Sequence, residues 1–302
     1  NLYMEKILQQ ITAELKVQPQ QVKAAVELLD GGATVPFIAR YRKEVTGALD
    51  DTQLRTLEER LRYLREMEDR RSAIISSIEE QGKMTPALNK EILAADTKTR
   101  LEDLYLPYKQ KRRTKGQIAI EAGLEPLANS LYEDPTLTPE IEAENFIVAD
   151  NGIADIKAAL DGARFILMER FAENAELIGK LRNFLWENAE LASSVVKGKE
   201  SEGAKFSDYF DRSEPLKTIP SHRALALFRG RKEGMLSVNI ITGEQAPSPS
   251  PCEAIVASCY NIKNHDRPAD KWLSEVVRWT WRIKLYTHLE TDLLGQIREA
   301  AE

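Results

Sequence analysis

The sequence predicts an all-α protein with a small β element, built from many helices of which one is long. Apolar residues recur at helical spacing along most of the 302-residue chain. Glycine and proline, which interrupt helices, are sparse at 15 and 13 residues. Strand-like alternation is convincing only in MLSVNIITG, residues 235–243. Because one or two strands do not form a stable sheet alone, the class is all-α.

The first segment, residues 4–47, predicts short helices. Val22, Val26 and Leu29 recur at helical spacing before LDGGA breaks the run. In TVPFIARYR, Thr34 can cap a new helix, and Pro36 lies in its first turn, where the missing N–H costs nothing.

A helix of about thirty residues is expected over residues 50–81, which corresponds to about 45 Å. Asp50 and Gln53 have the spacing of a capping box, and Gln81–Gly82 ends the pattern. Arg71 interrupts the apolar seam, so the helix is expected to pack within its domain and not as a long coiled coil. The seam consists of Leu54, Leu57, Leu61, Leu64, Met67, Ile74, Ile75 and Ile78.

Further helices follow, and they are separated by polar loops rich in glycine, proline and serine. Their expected ranges are about 85–95, 97–105, 120–134, 153–172, 175–196, 221–229 and 269–300. The last one carries Trp272, Trp279 and Trp281, which at this spacing are more often core or interface residues than base-stacking residues.

The composition limits the classes of function. With 42 basic and 48 acidic side chains, the net charge of −6 argues against coating nucleic acid with the whole surface, so any such contact is local. Two cysteines provide no disulfide framework, which favours a reducing compartment. No signal peptide or membrane-spanning run is visible. Met4 is interpreted as the natural start, with residues 1–3 as a cloning remnant.

The sequence gives no sign of an enzyme. Gly82–Lys83 and Gly179–Lys180 are followed by Met84 and Leu181, so neither forms a nucleotide-binding P-loop. With three histidines in the whole chain, a catalytic triad has little support.

A metal site is not expected either, and no cofactor is implied. Cys252, Cys259 and His265 lack the spacing of a zinc finger or ribbon. The HLE triplet at 288–290 lacks the second histidine of a zinc protease helix.

One loop contrasts with the acidic remainder of the chain. In LPYKQKRRTKGQIA, residues 106–119, five cations repel one another unless an anion lies near, and Tyr105 and Tyr108 precede them. A second basic set occurs in HRALALFRGRKEG, residues 222–234, and consists of Arg223, Arg229, Arg231 and Lys232. The candidate nucleic-acid-binding residues are Lys109, Lys111, Arg112, Arg113, Lys115, Arg229, Arg231 and Lys232. The alternative is that both sets are solvated and paired with acidic helices.

Three stretches, residues 34–58, 101–128 and 221–240, strongly resemble the N-terminal region of bacterial Tex proteins. These are transcription accessory proteins related to a eukaryotic transcription elongation factor, and the resemblance implies a cytoplasmic location. The resemblance covers about residues 4–302. It implies an N-terminal helical region at 4–196 with a helix-turn-helix-like part, and a central helical region with a short β element at 197–302.

In that family an RNase H-like domain, helix-hairpin-helix motifs and an OB-fold RNA-binding domain follow this region. The chain is therefore expected to be an N-terminal fragment, and no catalytic residue can be carried over. One interpretation is a nucleic-acid-associated scaffold in transcription that contacts RNA or DNA. The alternative is a protein-interaction scaffold that docks RNA polymerase or elongation factors, or organises the missing domains, without binding nucleic acid itself.

Overall fold

The structure is a computed structural model that describes residues 2–109, 113–242 and 250–302. The all-α prediction is confirmed: the described residues form sixteen α-helices and a single three-stranded sheet. The chain divides into two compact units, Asn1–Tyr108 and Lys109–Glu302. No described helix is both long enough and apolar enough to cross a membrane.

Helices alone build the first unit, as predicted. Thr34 caps α3, because its hydroxyl accepts a hydrogen bond from the Phe37 amide at 3.3 Å. Leu2 and Tyr3 belong to the first helix. The elements are α1 (Leu2–Leu15), α2 (Pro19–Asp30), α3 (Val35–Tyr41), α4 (Lys43–Thr46), α5 (Asp51–Glu80), α6 (Pro86–Ala94), α7 (Lys98–Tyr105) and a 3₁₀ turn at Leu106–Tyr108.

The predicted long helix is α5, and its start is confirmed. The Asp50 carboxylate accepts from the Gln53 amide at 2.8 Å, and the Gln53 side chain accepts from the Asp50 amide at 3.0 Å. The apolar seam is buried from Leu54 to Ile78 except at Ile75, which is half-buried, and the short helices α1, α2 and α3 pack against α5.

Arg71, which interrupts the seam of α5, holds α6 in place. Its guanidinium is buried, pairs with Glu68 at 3.0 Å and donates to the carbonyls of Ile92 and Leu93 at 2.5 and 3.2 Å. These carbonyls belong to the last turn of α6, where the Ile92 carbonyl also accepts from the Ala95 amide at 3.3 Å. Arg71 therefore serves packing within the unit, as the sequence predicts.

The second unit contains helices and a small antiparallel sheet of order β2-β1-β3, with α13 packed against β3. The central helix is α11, against which α8, α9, α10 and α15 pack. The helices are α8 (Lys115–Glu121), α9 (Glu125–Glu133), α10 (Pro139–Glu144), α11 (Ile156–Ala172), α12 (Ala175–Asn188), α13 (Ser221–Lys232), α14 (Pro251–Cys259), α15 (Asp270–Trp279) and α16 (Tyr286–Ala301), and the strands are β1 (Glu190–Val195), β2 (Asp211–Pro215) and β3 (Leu236–Ile241).

The helix predicted over 175–196 is wrong at its C-terminal end. Helix α12 ends at Asn188, and Glu190–Val195 form β1, where buried Leu191 and Ser193 alternate with more exposed residues. Strand β1 pairs with β2 and β3 on its two sides, and this pairing overrides the helical periodicity. Because β1 precedes residue 196 and both partners follow it, the boundary predicted at 196 and 197 lies inside the second unit.

The single helix predicted over 120–134 is also wrong. Gly123 has a φ of +90° and ends α8, and α9 starts at Glu125 with Pro126 in its first turn. The predicted strand β3 and the last helix are confirmed. That last helix consists of α15, a π-helical segment at Thr280–Leu285, and α16.

Replacing Arg71 with alanine is expected to release α6. Two carbonyls and the Glu68 carboxylate lose a buried partner, so the free energy of local opening falls by about 3 kcal/mol. Amide hydrogen exchange of peptides covering 86–95 should then be faster on the order of a hundredfold. The control is Arg55→Ala on the same helix, because Arg55 forms an exposed pair with Asp51. Equal protection of α6 in both variants contradicts this role for Arg71.

Candidate nucleic-acid interface

The described part of the basic loop is exposed, and Arg113 in it forms an ion pair. Lys109, Arg113 and Lys115 are exposed, whereas Lys111 and Arg112 lie outside the described residues. Arg113 pairs with Glu121 of α8, with Nε 2.8 Å from the carboxylate. This hydrogen bond lowers the pKa of Glu121. An acidic partner within the chain thus compensates part of the charge of the loop.

Tyr105, which precedes the loop, is engaged by residues of the first unit and does not offer a free ring for base stacking. Its hydroxyl lies 2.7 Å from the Ser77 hydroxyl, and the Arg70 guanidinium lies 5.2 Å from the centre of its ring. Tyr105 therefore packs within the first unit, which is the plainer of the two roles that the sequence allows.

The end of the basic loop is fixed by a carboxylate from α11. Thr114 caps α8 by accepting from the Gln117 amide at 3.1 Å, and its hydroxyl donates to Glu169 at 2.6 Å. The Gly116 amide donates to the other oxygen of Glu169, also at 2.6 Å. A Cβ on residue 116 would lie 2.3 Å from that oxygen, so the contact requires glycine. Glu169 thereby compensates the positive N-terminus of α8.

Beside this junction lies a cleft of about 630 Å³ that gathers cations and aromatic rings. The Lys115 ammonium lies 5.1 Å from the centre of the Phe165 ring, within the range of a cation–π interaction. The α15 end and the π-helical segment form the opposite wall. The lining residues are Arg113, Thr114, Lys115, Arg164, Phe165, Met168, Trp279, Ile283 and Lys284.

Cations of the cleft are incompletely compensated. Lys115 and Lys284 form no ion pair within the part of the chain that the structure describes. Arg164 lies 3.5 Å from Asp161, but its buried Nε has no hydrogen-bond partner among the described residues. A buried donor without a partner is costly, and a phosphate oxygen is a strong acceptor for it.

Sequence reasoning identified Arg113 and Lys115 but missed the other half of the cleft. Arg164 and Phe165 come from α11, about fifty residues later, and Lys284 comes from the π-helical segment. The tryptophans were predicted to be core or interface residues. Trp281 is buried, whereas Trp279 is half-buried and lines the cleft.

The second basic set does not join this cleft. Arg229 is exposed and pairs with Glu233 at 3.2 Å, and Arg231 lies over the Phe228 ring at 5.3 Å. Lys232 is exposed and has no ion pair among the described residues. All three lie in the last turn of α13, where cations compensate the negative helix end. None of them lines the cleft.

Comparison with known proteins identifies the family. The model for the Tex-like protein N-terminal domain matches residues 5–79, and the model described as Tex central region-like matches residues 134–302. The chain belongs to the Tex family. The basic loop lies between the two matched ranges, whereas Arg164, Trp279, Lys284 and the α13 cations lie within the central-region match.

Relatives of this Tex-family chain are much longer than the chain itself. Protein YhgF of Escherichia coli (strain K12) is 62% identical over 295 residues, which is 97% of this chain and 38% of the relative. Protein tex of Bordetella pertussis is 54% identical over 304 residues, which is 98% of this chain and 38% of the relative. S1 RNA-binding domain-containing protein 1 of Homo sapiens is 29% identical over 244 residues, which is 78% of this chain and 24% of the relative. The chain thus spans about two fifths of the bacterial relatives.

The Gly116→Ala variant is expected to destabilise the second unit by about 1–3 kcal/mol. The added Cβ displaces Glu169 and leaves the Gly116 amide and the Thr114 hydroxyl without their acceptor. Urea unfolding followed by tryptophan fluorescence measures this, since all four tryptophans lie in this unit.

The matched control is Gly295→Ala in α16, where an added Cβ meets nothing within 4 Å. Because alanine favours the helix over glycine, this variant is expected to be neutral or more stable by up to about 1 kcal/mol. The capping role of Glu169 is wrong if both variants unfold at the same urea concentration.

Proposed function

We propose that this region acts as a nucleic-acid-associated helical scaffold in transcription, and that the cleft binds the phosphate backbone of RNA or DNA. The observation that carries the proposal is the grouping of Lys115, Arg164 and Lys284 around Phe165 and Trp279. A relative named Transcriptional accessory protein Tex, from Neisseria gonorrhoeae, is 53% identical over 298 residues, which is 97% of this chain and 38% of the relative. This name supports the role in transcription.

The chemistry of the cleft favours a polyanion. Lysine and arginine bind phosphate without regard to base sequence, and aromatic rings accept any base that leaves the stack. The net charge of −6 keeps most of the surface unattractive to nucleic acid, which limits binding to local basic sites such as the cleft. A cytoplasmic location follows from this proposed role. The helix-turn-helix-like part that the family resemblance implies stays a prediction.

One observation favours the alternative of a protein-interaction scaffold. Arg113 is already paired with Glu121, so part of the basic loop needs no external anion. Ile283, an exposed apolar residue, also lines the cleft and suits a protein partner such as RNA polymerase or an elongation factor. In this alternative, the fragment organises a transcription complex without binding nucleic acid itself.

Charge removal in the cleft is expected to weaken binding equally for different base sequences. We expect Lys115→Ala/Lys284→Ala to lower the affinity for single-stranded RNA and double-stranded DNA about tenfold at low salt. The slope of log affinity against log salt should fall by about 1 for each lost phosphate contact. Fluorescence-anisotropy titration at low and near-physiological salt measures both quantities.

The control is Lys217→Ala, which removes an exposed lysine that pairs with Glu187 at 2.7 Å. A second variant replaces all five cations of the basic loop, at residues 109, 111, 112, 113 and 115, with alanine. If neither variant changes affinity or salt slope relative to Lys217→Ala, the cleft does not bind nucleic acid. Binding of purified RNA polymerase that persists in both variants then supports the protein scaffold.

A further inference from the structure

Helix α3 of the first unit exposes two aromatic rings on one face. Phe37 is 40% exposed and Tyr41 is 56% exposed. The two residues are four positions apart, and their ring centres lie 5.3 Å from each other at an angle of 51°. Neighbouring exposed rings form a continuous apolar patch, and such patches on soluble proteins mark binding sites more often than isolated exposed residues do.

Three cations accompany these rings. The Arg42 guanidinium lies 4.9 Å from the centre of the Phe37 ring, and the Arg40 guanidinium lies 5.8 Å from that of Tyr41. Lys43 follows at the start of α4 and is exposed. None of the three forms an ion pair with a described carboxylate.

The cations of α5 and α7 mostly differ in this respect. Five of the six cations on α5 and both cations on α7 have a carboxylate partner within 4 Å. These pairs are Arg55–Asp51, Arg60–Glu14, Arg65–Asp30, Arg70–Glu102, Arg71–Glu68, Lys98–Glu66 and Arg100–Glu91. The cations of α3 and α4 are thus left for an anion from outside the unit.

The helix holds this surface in a fixed orientation. Val35 and Ile38, on the opposite side of α3, are buried in the core of the first unit. Thr34 caps the helix, and the Gln21 side chain donates to the carbonyls of Thr46 and Gly47 at the end of α4. A short helix that is anchored at both ends presents its rings with little loss of conformational freedom on binding.

We propose that Phe37, Arg40, Tyr41, Arg42 and Lys43, the α3 surface, bind single-stranded nucleic acid. Bases stack on the two rings, and the cations contact the phosphates between them. A protein partner is less favoured, because lysine is depleted from the centre of protein interfaces, whereas rings and cations together suit a single strand. The α3 surface lies in a different unit from the cleft, so this inference does not rest on the proposed function.

The test is anisotropy titration of the full chain with a uridine RNA of about 12 nucleotides and with a DNA duplex. Phe37→Ala/Tyr41→Ala is expected to lower affinity for the single strand about tenfold or more, because each base–ring stack is lost. Duplex affinity should change less than twofold, since paired bases are not free to stack. Arg40→Ala/Arg42→Ala/Lys43→Ala should weaken both and reduce the salt slope.

Two further double variants separate stacking from apolar contact and from misfolding. Phe37→Tyr/Tyr41→Phe keeps both rings and should bind the single strand like the parent. Phe37→Leu/Tyr41→Leu keeps apolar area without rings and should lose affinity. Far-UV circular dichroism checks that each variant is folded. If the leucine variant binds like the parent, the rings do not stack on bases and the proposal is overturned.

Comparison with the cleft variant distinguishes the two proposals. If the α3 variants lower single-strand affinity and Lys115→Ala/Lys284→Ala does not, the α3 inference stands and the role of the cleft is wrong. If only the cleft variant lowers affinity, the α3 inference is wrong. A parent chain that binds no single strand at low salt overturns the inference as well.

Discussion

The arrangement of the candidate cleft depends on the close approach of α8 to α11. Two glycines make this approach feasible. A Cβ on Gly162 of α11 would lie 2.3 Å from Leu124, and one on Gly116 of α8 would collide with Glu169. Because the helices touch through small residues, the carboxylate of α11 reaches the first turn of α8. The basic loop therefore ends at a fixed point, with Lys115 over the Phe165 ring.

Both candidate surfaces combine aromatic rings with cations that have no acidic partner among the described residues. An acidic chain can compensate its cations internally, as α5 does along its length. Lys284 in the cleft and Arg42 on α3 lack such partners in the described residues. At physiological salt, charges are screened beyond about 8 Å, so the local sign matters more to a bound phosphate than the net charge. An acidic protein is thereby compatible with local binding of a polyanion.

Much of the fold could be predicted from the sequence because helix signals are local. The capping box at Asp50 and the seam of α5 need only the residues within the helix itself. Strand β1 could not be predicted in this way, since its state depends on partners that follow it in the chain. The part of the cleft that the basic loop supplies could be predicted, whereas the part that other helices supply could not. A run of cations is visible in the sequence, whereas the meeting of Lys115 with Arg164 and Lys284 is a result of helix packing.

The π-helical segment explains why the last helix can serve both the core and the cleft. Its buried stripe advances in steps of four from Leu273 through Trp281 to Leu293. In a regular α-helix each step of four overshoots a turn by about 40°, so five steps would carry the stripe about 200° around the helix. The wider turn at Thr280–Leu285 takes back part of this rotation and keeps the stripe facing the core. Trp279 and Lys284 then remain on the side that lines the cleft. A local change of helix type thus places the cleft residues beside core residues without interrupting the helix.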